Sequence, residues 1–135
     1  MKRKKSDIHI LIVEDDKDLN DAYRIILGHA GYMVDVAMNG EEALKLIETL
    51  PRDPDIILLD LRMPVLDGVG FLEEFRPGKH PDCTVVVFTN YDSHSDIDRA
   101  YKLGVSRYVL KARTSPNDLL HIVESIVSEK KLVSA

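Results

Sequence analysis

Two hydrophobic rhythms alternate along this chain. Short apolar runs of strand length stand at Ile8–Val13, Ile56–Leu59, Thr84–Phe88 and Arg107–Leu110, with a weakly alternating one from Tyr32 to Ala37. Between them, apolar residues recur every three or four positions, as one face of a helix requires. Leu19, Tyr23, Ile26, Leu27 and Ala30 form the first such stripe, and Gly31 is its stop. Asn39 is an N-cap with Glu42 placed for a capping box, ahead of Ala43, Leu44, Ile47 and Leu50; Pro51 closes that helix. A short helix spans Val69 to Phe75, and a polar one runs from Ser95 to Leu103 with Ile97, Ala100 and Tyr101 inward. Ser115-Pro116 starts the last, whose stripe is Leu119, Ile122, Val123, Ile126 and Val127.

Five strands alternating with five helices predict an α/β fold: a single doubly wound parallel sheet with helices on both faces and right-handed crossovers. The continuous apolar runs fit strands buried on both sides. In such a sheet all strand ends share one edge, and ligands bind just beyond the carboxyl ends. Here that edge collects Glu14 and Asp15 after the first strand, Asp60 after the third, Thr89 at the fourth and Lys111 at the fifth. Taken singly, each has a plain reading as a helix start, a turn cap or a solvated lysine. Together they form an acidic all-oxygen site suited to Mg²⁺ or a similar hard ion. Three close carboxylates repel unless a cation or protons intervene. With a divalent ion between them, a phosphate could bind against the metal, the Thr89 hydroxyl and the Lys111 ammonium.

Composition narrows the function classes. At 135 residues with 44% hydrophobic and 30% charged, the chain reads as one ordinary globular domain. No apolar run approaches the roughly 18 residues that span a bilayer, and the basic start lacks a signal-peptide core, so a cytoplasmic location is expected. Net charge is −5, and −9 without the four cations of Lys2 to Lys5, which disfavours nucleic acid as a partner of the folded body. Residues 1–6 are expected to be a solvated basic tail, the alternative being a contact with nucleic acid or an acidic membrane. The lone Cys83 precedes an apolar run and reads as a buried free thiol. The five histidines show no zinc-ligand spacing.

The chain resembles response regulator receiver domains of two-component phosphorelays from Ile8 to about Lys131. The resemblance rests on Ile10-Leu11-Ile12-Val13-Glu14-Asp15-Asp16, on Asp60-Leu61-Arg62-Met63-Pro64 with Asp67-Gly68, on Phe88-Thr89, and on Tyr108-Val109-Leu110-Lys111. It implies a flavodoxin-like strand order 2-1-3-4-5 for residues 7–131, with 132–135 a tail or truncated linker. Asp60 would be the phosphoacceptor, taking its phosphoryl group from a sensor histidine kinase or phosphotransfer protein. Glu14, Asp15, Asp60 and the backbone carbonyl of Arg62 would hold Mg²⁺, with Mn²⁺ a substitute, while Asp16 would start the helix. Lys111 would pair with the phosphoryl oxygens, Thr89 would swing towards them, and Tyr108 would turn inward as the aromatic switch. For Tyr108, a half-buried aromatic at a sheet edge fits the spacing equally well. The output surface, and a homodimer contact, would be the fourth helix, fifth strand and fifth helix. Such a domain is a signalling module that catalyses only its own phosphorylation and dephosphorylation. Direct nucleic-acid or membrane binding by it is not expected.

Two departures from the family's pattern bear on mechanism. Proline commonly follows the family's lysine, often across a cis bond; Ala112 stands here. A cis bond before a non-proline residue costs roughly 2.5–4 kcal/mol, so the loop either accepts that cost or runs trans. Arg62 and Tyr91, two residues past the acceptor and two past the threonine, would flank the path of attacking water and lengthen the phosphorylated lifetime. Three other readings compete with a switched receiver. A haloacid-dehalogenase-type phosphatase usually wants an acid where Arg62 stands. A nucleotide carrier would need a hydroxyl- or glycine-rich loop where Glu14-Asp15-Asp16 stands. A phosphate-independent interaction domain is opposed by Asp60 and Lys111. After Lys111 no output domain fits, so the chain is expected to be a stand-alone regulator or a receiver cut from a longer protein.

Overall fold

The computed structural model describes residues 3–90 and 94–130. Five strands, β1 (His9–Val13), β2 (Met33–Ala37), β3 (Ile56–Leu59), β4 (Thr84–Thr89) and β5 (Arg107–Leu110), alternate with α1 (Lys17–His29), α2 (Gly40–Thr49), α3 (Gly68–Phe75), α4 (His94–Lys102) and α5 (Pro116–Glu129). All pairings are parallel and the spatial order is β2-β1-β3-β4-β5, as expected. β1, β3 and β4 are the inner strands, which is why their sequences are apolar on both faces. β2 is an edge strand and leaves Met33 and Val36 exposed, so its alternation is weak.

Period-2 alternation divides the core into two layers. Leu11, Val13, Ile57, Leu59, Val85 and Val87 face Ala43 of α2, Phe71, Leu72 and Phe75 of α3, and Ala100 of α4. Ile10, Ile12, Ile56, Leu58, Val86 and Phe88 face Tyr23 and Leu27 of α1 and Leu119, Val123, Ile126 and Val127 of α5. Cys83 is buried in the first layer, and burial pushes its thiol up to about 12, so it stays protonated at neutral pH.

The helix starts carry the expected caps. Asp16 accepts from the Leu19 amide at 3.1 Å and opens α1. Ser115 and Asp118 form a reciprocal capping box with Pro116 in the first turn. At α2 the box is incomplete: Asn39 accepts from the Glu42 amide at 2.9 Å, but the Glu42 carboxylate meets the Asn39 side-chain amide rather than its backbone.

The basic segment departs from the solvated tail expected of it. Lys5–Asp7 forms a 3-10 turn, and Lys5 pairs with Glu124 at 3.0 Å. The Arg3 guanidinium grips both oxygens of Asp55, Nη1 to Oδ1 at 3.0 Å and Nη2 to Oδ2 at 2.7 Å. A bidentate pair to a buried carboxylate outweighs the entropy of one ordered side chain, which an exposed pair does not. The tail at 132–135 and Tyr91 lie outside the described residues.

Candidate functional site: the carboxyl edge of the sheet

Register decides which side chains meet. Val13 pairs with Leu59, so Glu14 and Asp60 leave adjacent strands side by side. Thr89 pairs with Leu110, so Lys111 follows one residue beyond. Backbone hydrogen bonds extend the ladders past the strands: Glu14 N to Ala37 O and Asp60 N to Val13 O, both 3.0 Å. The Glu14 carbonyl is also held by the amide of Asn20, a buried residue on α1, at 2.9 Å.

The loop after Asp60 is pinned from two sides. Leu66 N bonds to Pro64 O at 2.8 Å, closing a three-residue turn around Val65, and Gly40 N bonds to Leu66 O at 2.9 Å. Gly68 then packs so closely under the site that a Cβ there would sit 2.4 Å from the Asp60 carbonyl oxygen. Only glycine permits that approach.

Glu14, Asp15 and Asp60 each turn one carboxylate oxygen into a space where all three lie within 4.8 Å of one another. Asp15 is exposed while Glu14 and Asp60 are buried, which opens the cluster to solvent on one side. Lys111 spans the buried pair, with its Nζ 2.9 Å from Asp60 Oδ2 and in contact with Glu14 Oε1. Every described peptide bond is trans, including Lys111–Ala112, so the lysine reaches Asp60 without the proline usual in the family. Glu14 Oε2 accepts from the Asp16 amide at 3.0 Å.

Burial raises the Asp60 carboxyl above its usual range, and Asp15 adds to this; hydrogen bonds from Thr89 and from the Arg62 and Leu61 amides act the other way. The Arg62 amide lies 3.2 Å from Asp60 Oδ1. Burial pushes the Lys111 ammonium down, to about 8. A cleft of about 260 Å³ opens over these groups, lined by Asp60, Arg62, Thr89, Asn90 and Lys111. A larger hollow of about 640 Å³ lies at the opposite edge, but Arg3 and Asp55 in its wall are paired, and Lys130 is bonded to the Asp82 carbonyl.

The structure thus brings Glu14, Asp15, Asp60, Thr89 and Lys111 together. Tyr108 lies on β5 away from the cleft lining, half-buried against the first core layer with its hydroxyl oxygen shielded from solvent. Arg62 is exposed at the cleft mouth. Two contributors were not read from the sequence. Asn90 lines the cleft, with only its place after Thr89 to mark it. Phe88 lies under the Lys111 ammonium, yet an aromatic in an apolar strand signals only core.

A doubly wound parallel sheet in the order β2-β1-β3-β4-β5, with three carboxylates, a hydroxyl and an ammonium gathered at its carboxyl edge, defines the class as a flavodoxin-like α/β fold with a polar strand-end cleft. The comparisons then fix the family. Residues 10–124 match the response regulator receiver domain family, and the chain belongs to it: it is a response regulator receiver domain of two-component systems, a signalling domain. It is 36% identical over 126 residues to a probable transcriptional regulator, ycf27, of Cyanidium caldarium, covering 93% of this chain and 49% of that protein. The nitrate/nitrite response regulator protein NarL of Escherichia coli K12 is 33% identical over 127 residues, covering 93% and 57%. The chain therefore spans about half the length of the curated relatives it matches. Among solved structures, a CheY-like receiver domain protein from Methanospirillum hungatei superposes with a TM-score of 0.83 at 28% identity, covering 92% of this chain and 96% of that one. TrrA of Thermotoga maritima, solved in complex with Mg²⁺-BeF, gives a TM-score of 0.73 at 30% identity, covering 88% and 98%. No described helix is long and apolar enough to cross a membrane.

Proposed function

We propose that Asp60 is the phosphoacceptor of a phosphorelay. The observation that carries this is the common register of β1, β3, β4 and β5, by which the Asp60 carboxylate stands beside Glu14, is hydrogen-bonded to the Thr89 side chain and lies 2.9 Å from the Lys111 ammonium. An Asp60 oxygen attacks the phosphorus of a phosphohistidine on a sensor kinase or phosphotransfer protein. The P–N bond breaks, the imidazole leaves with the electron pair, and an aspartyl phosphate forms. Lys111 pairs with the phosphoryl oxygens, and Thr89 exchanges its bond to Asp60 for one to the phosphoryl group.

The donor set fits a hard divalent cation: three carboxylate oxygens within 4.8 Å, one of them on exposed Asp15, with no sulfur or imidazole among them. Glu14, Asp15, Asp60 and the Arg62 carbonyl would hold Mg²⁺ or Mn²⁺. When bound, the ion neutralises charge on the transferring phosphoryl oxygens. Tyr108 follows Thr89 and resets the α4–β5–α5 surface, through which the domain pairs with a second copy or regulates a partner or output domain. Arg62, with Tyr91, shields the acyl phosphate from water.

Intact-mass spectrometry after incubation with acetyl phosphate tests this. One phosphoryl adduct is expected, dependent on Mg²⁺ and missing in Asp60→Asn; an unmodified parent chain in the presence of Mg²⁺ and of a kinase panel would sink the reading. The decay of the adduct reads lifetime, and an Arg62→Ala, Tyr91→Ala double variant that decays no faster removes their shielding role.

A further inference from the structure

We propose that Phe88 is a positioning residue whose ring face holds the Lys111 ammonium over the cleft, with Tyr23 fixing the ring. This rests on the reading of Asp60 as phosphoacceptor and deepens it. Lys111 Nζ lies 5.8 Å from the Phe88 ring centroid, inside the reach of about 6 Å at which a cation is attracted to an aromatic face. Phe88 is paired in register with Val109, two residues before Lys111, so the two side chains leave neighbouring strands close to the same edge. Tyr23 of α1 meets Phe88 edge to face, with centroids 5.1 Å apart and planes at 74°. Both rings are buried to within 3% exposure, so the Phe88 face presented to the ammonium is set by packing on its other sides.

The lysine needs such a partner because its others are shared. Glu14 and Asp60 hold it, but both are metal ligands in the proposed mechanism, and Asp60 also becomes the phosphorylated group. The ring is the described contact of Lys111 that neither a cation nor a phosphoryl group would claim. A lysine stem has four rotors and loses much entropy on being fixed. A buried, quadrupolar face at one end of its range lowers that loss at the moment the carboxylates are taken up elsewhere. Leucine is apolar but smaller and has no ring, and it would leave the ammonium without that face.

The test replaces Phe88 with phenylalanine carrying one, two and three ring fluorines, which drain the ring face with little change in shape. The rate of adduct formation from acetyl phosphate is read at saturating Mg²⁺. A graded fall is expected, ending between about 2-fold and about 30-fold below the parent, with Phe88→Leu at least as slow and Phe88→Tyr close to the parent. A trifluoro protein as fast as the parent overturns the proposal. The ring-current shift of the Lys111 Hε protons, present in the parent and lost in Phe88→Leu, reads the contact without any phosphorylation; its absence from the parent also overturns the proposal. A parent that shows the shift but takes no phosphoryl group instead sinks the phosphoacceptor reading, and the positioning role falls with it.

Discussion

Strand β3 is flanked by two aspartates that burial alone cannot tell apart: Asp55 just before it is 7% exposed and Asp60 just after it is 6%. Their protonation is driven in opposite directions. Burial pushes the Asp55 carboxyl up, but the Arg3 fork, the His9 amide at 2.9 Å and the charge of Arg52 outweigh it and hold the group below its usual range. At Asp60 burial wins, because the neighbouring charge of Asp15 adds to it and the bonds to Thr89 and the loop amides are not enough to offset both. The lower carboxylate is satisfied and locks the amino-terminal segment and β1 to β3. The upper one shares its single ammonium, Lys111, with Glu14 and faces a further carboxylate in Asp15, so its charge is incompletely balanced.

Removing the satisfied carboxylate should have the largest effect. Asp55→Ala leaves a guanidinium and the His9 amide without their acceptor, at a cost of about 3 kcal/mol in urea unfolding at pH 7. A loss below about 1 kcal/mol would mean that the fork adds no more than an exposed pair does, and the contrast between the two ends would collapse. Asp60→Asn should do the reverse in Mg²⁺-free buffer, raising stability at pH 7, because Lys111 keeps Glu14 as its partner while the cost of a buried charge beside Asp15 is removed. The signs follow from linkage. Asp55, with its folded-state pKa lowered, contributes stability above the ordinary aspartate value near 3.9 and loses it as pH falls through the lower folded value. Asp60, with its folded-state pKa raised, makes its full contribution below that ordinary value and loses it as pH rises through the higher folded value. The advantage of Asp60→Asn should therefore vanish below about pH 4, and an advantage that persisted there would show that charge is not its cause.

The upper end was far more legible in the sequence than the lower. Ile56–Leu59 runs straight into Asp60, and Ile10–Val13 into Glu14, and a charge following a doubly buried strand marks the sheet edge whatever its partners are. Parallel topology then brings the edge residues together. Arg3 and Asp55 stand 52 positions apart, and no local pattern links them, so the segment read as a free tail is a clasp. Tyr108 gave two equal readings because strand spacing places a ring without saying which way it turns. The α2 capping box was readable to the residue but not to the atom, since Asn39 offers two polar groups to Glu42.

The contrast extends to the backbone, with a smaller effect. Val65, in the loop after Asp60, sits at φ +70° and is 75% exposed. A left-handed conformation costs an L-residue roughly 1–2 kcal/mol, and a β-branched one is a poor occupant. The lower end also has a left-handed residue, Arg76 at φ +55°, but it is unbranched and caps α3, where that conformation satisfies helix carbonyls. At Val65 the conformation is imposed by the bonds from Leu66 to Pro64 and from Gly40 to Leu66. Val65→Gly relieves the strain but gives back about 0.4–1 kcal/mol through the freer unfolded chain, for a net gain of about 0.5–1 kcal/mol in urea unfolding. Val65→Asn, which tolerates the left-handed region with less unfolded-state freedom, should gain at least as much. If both variants are less stable than the parent, the turn is not strained by its side chain, and the tension at the upper end of β3 is electrostatic alone.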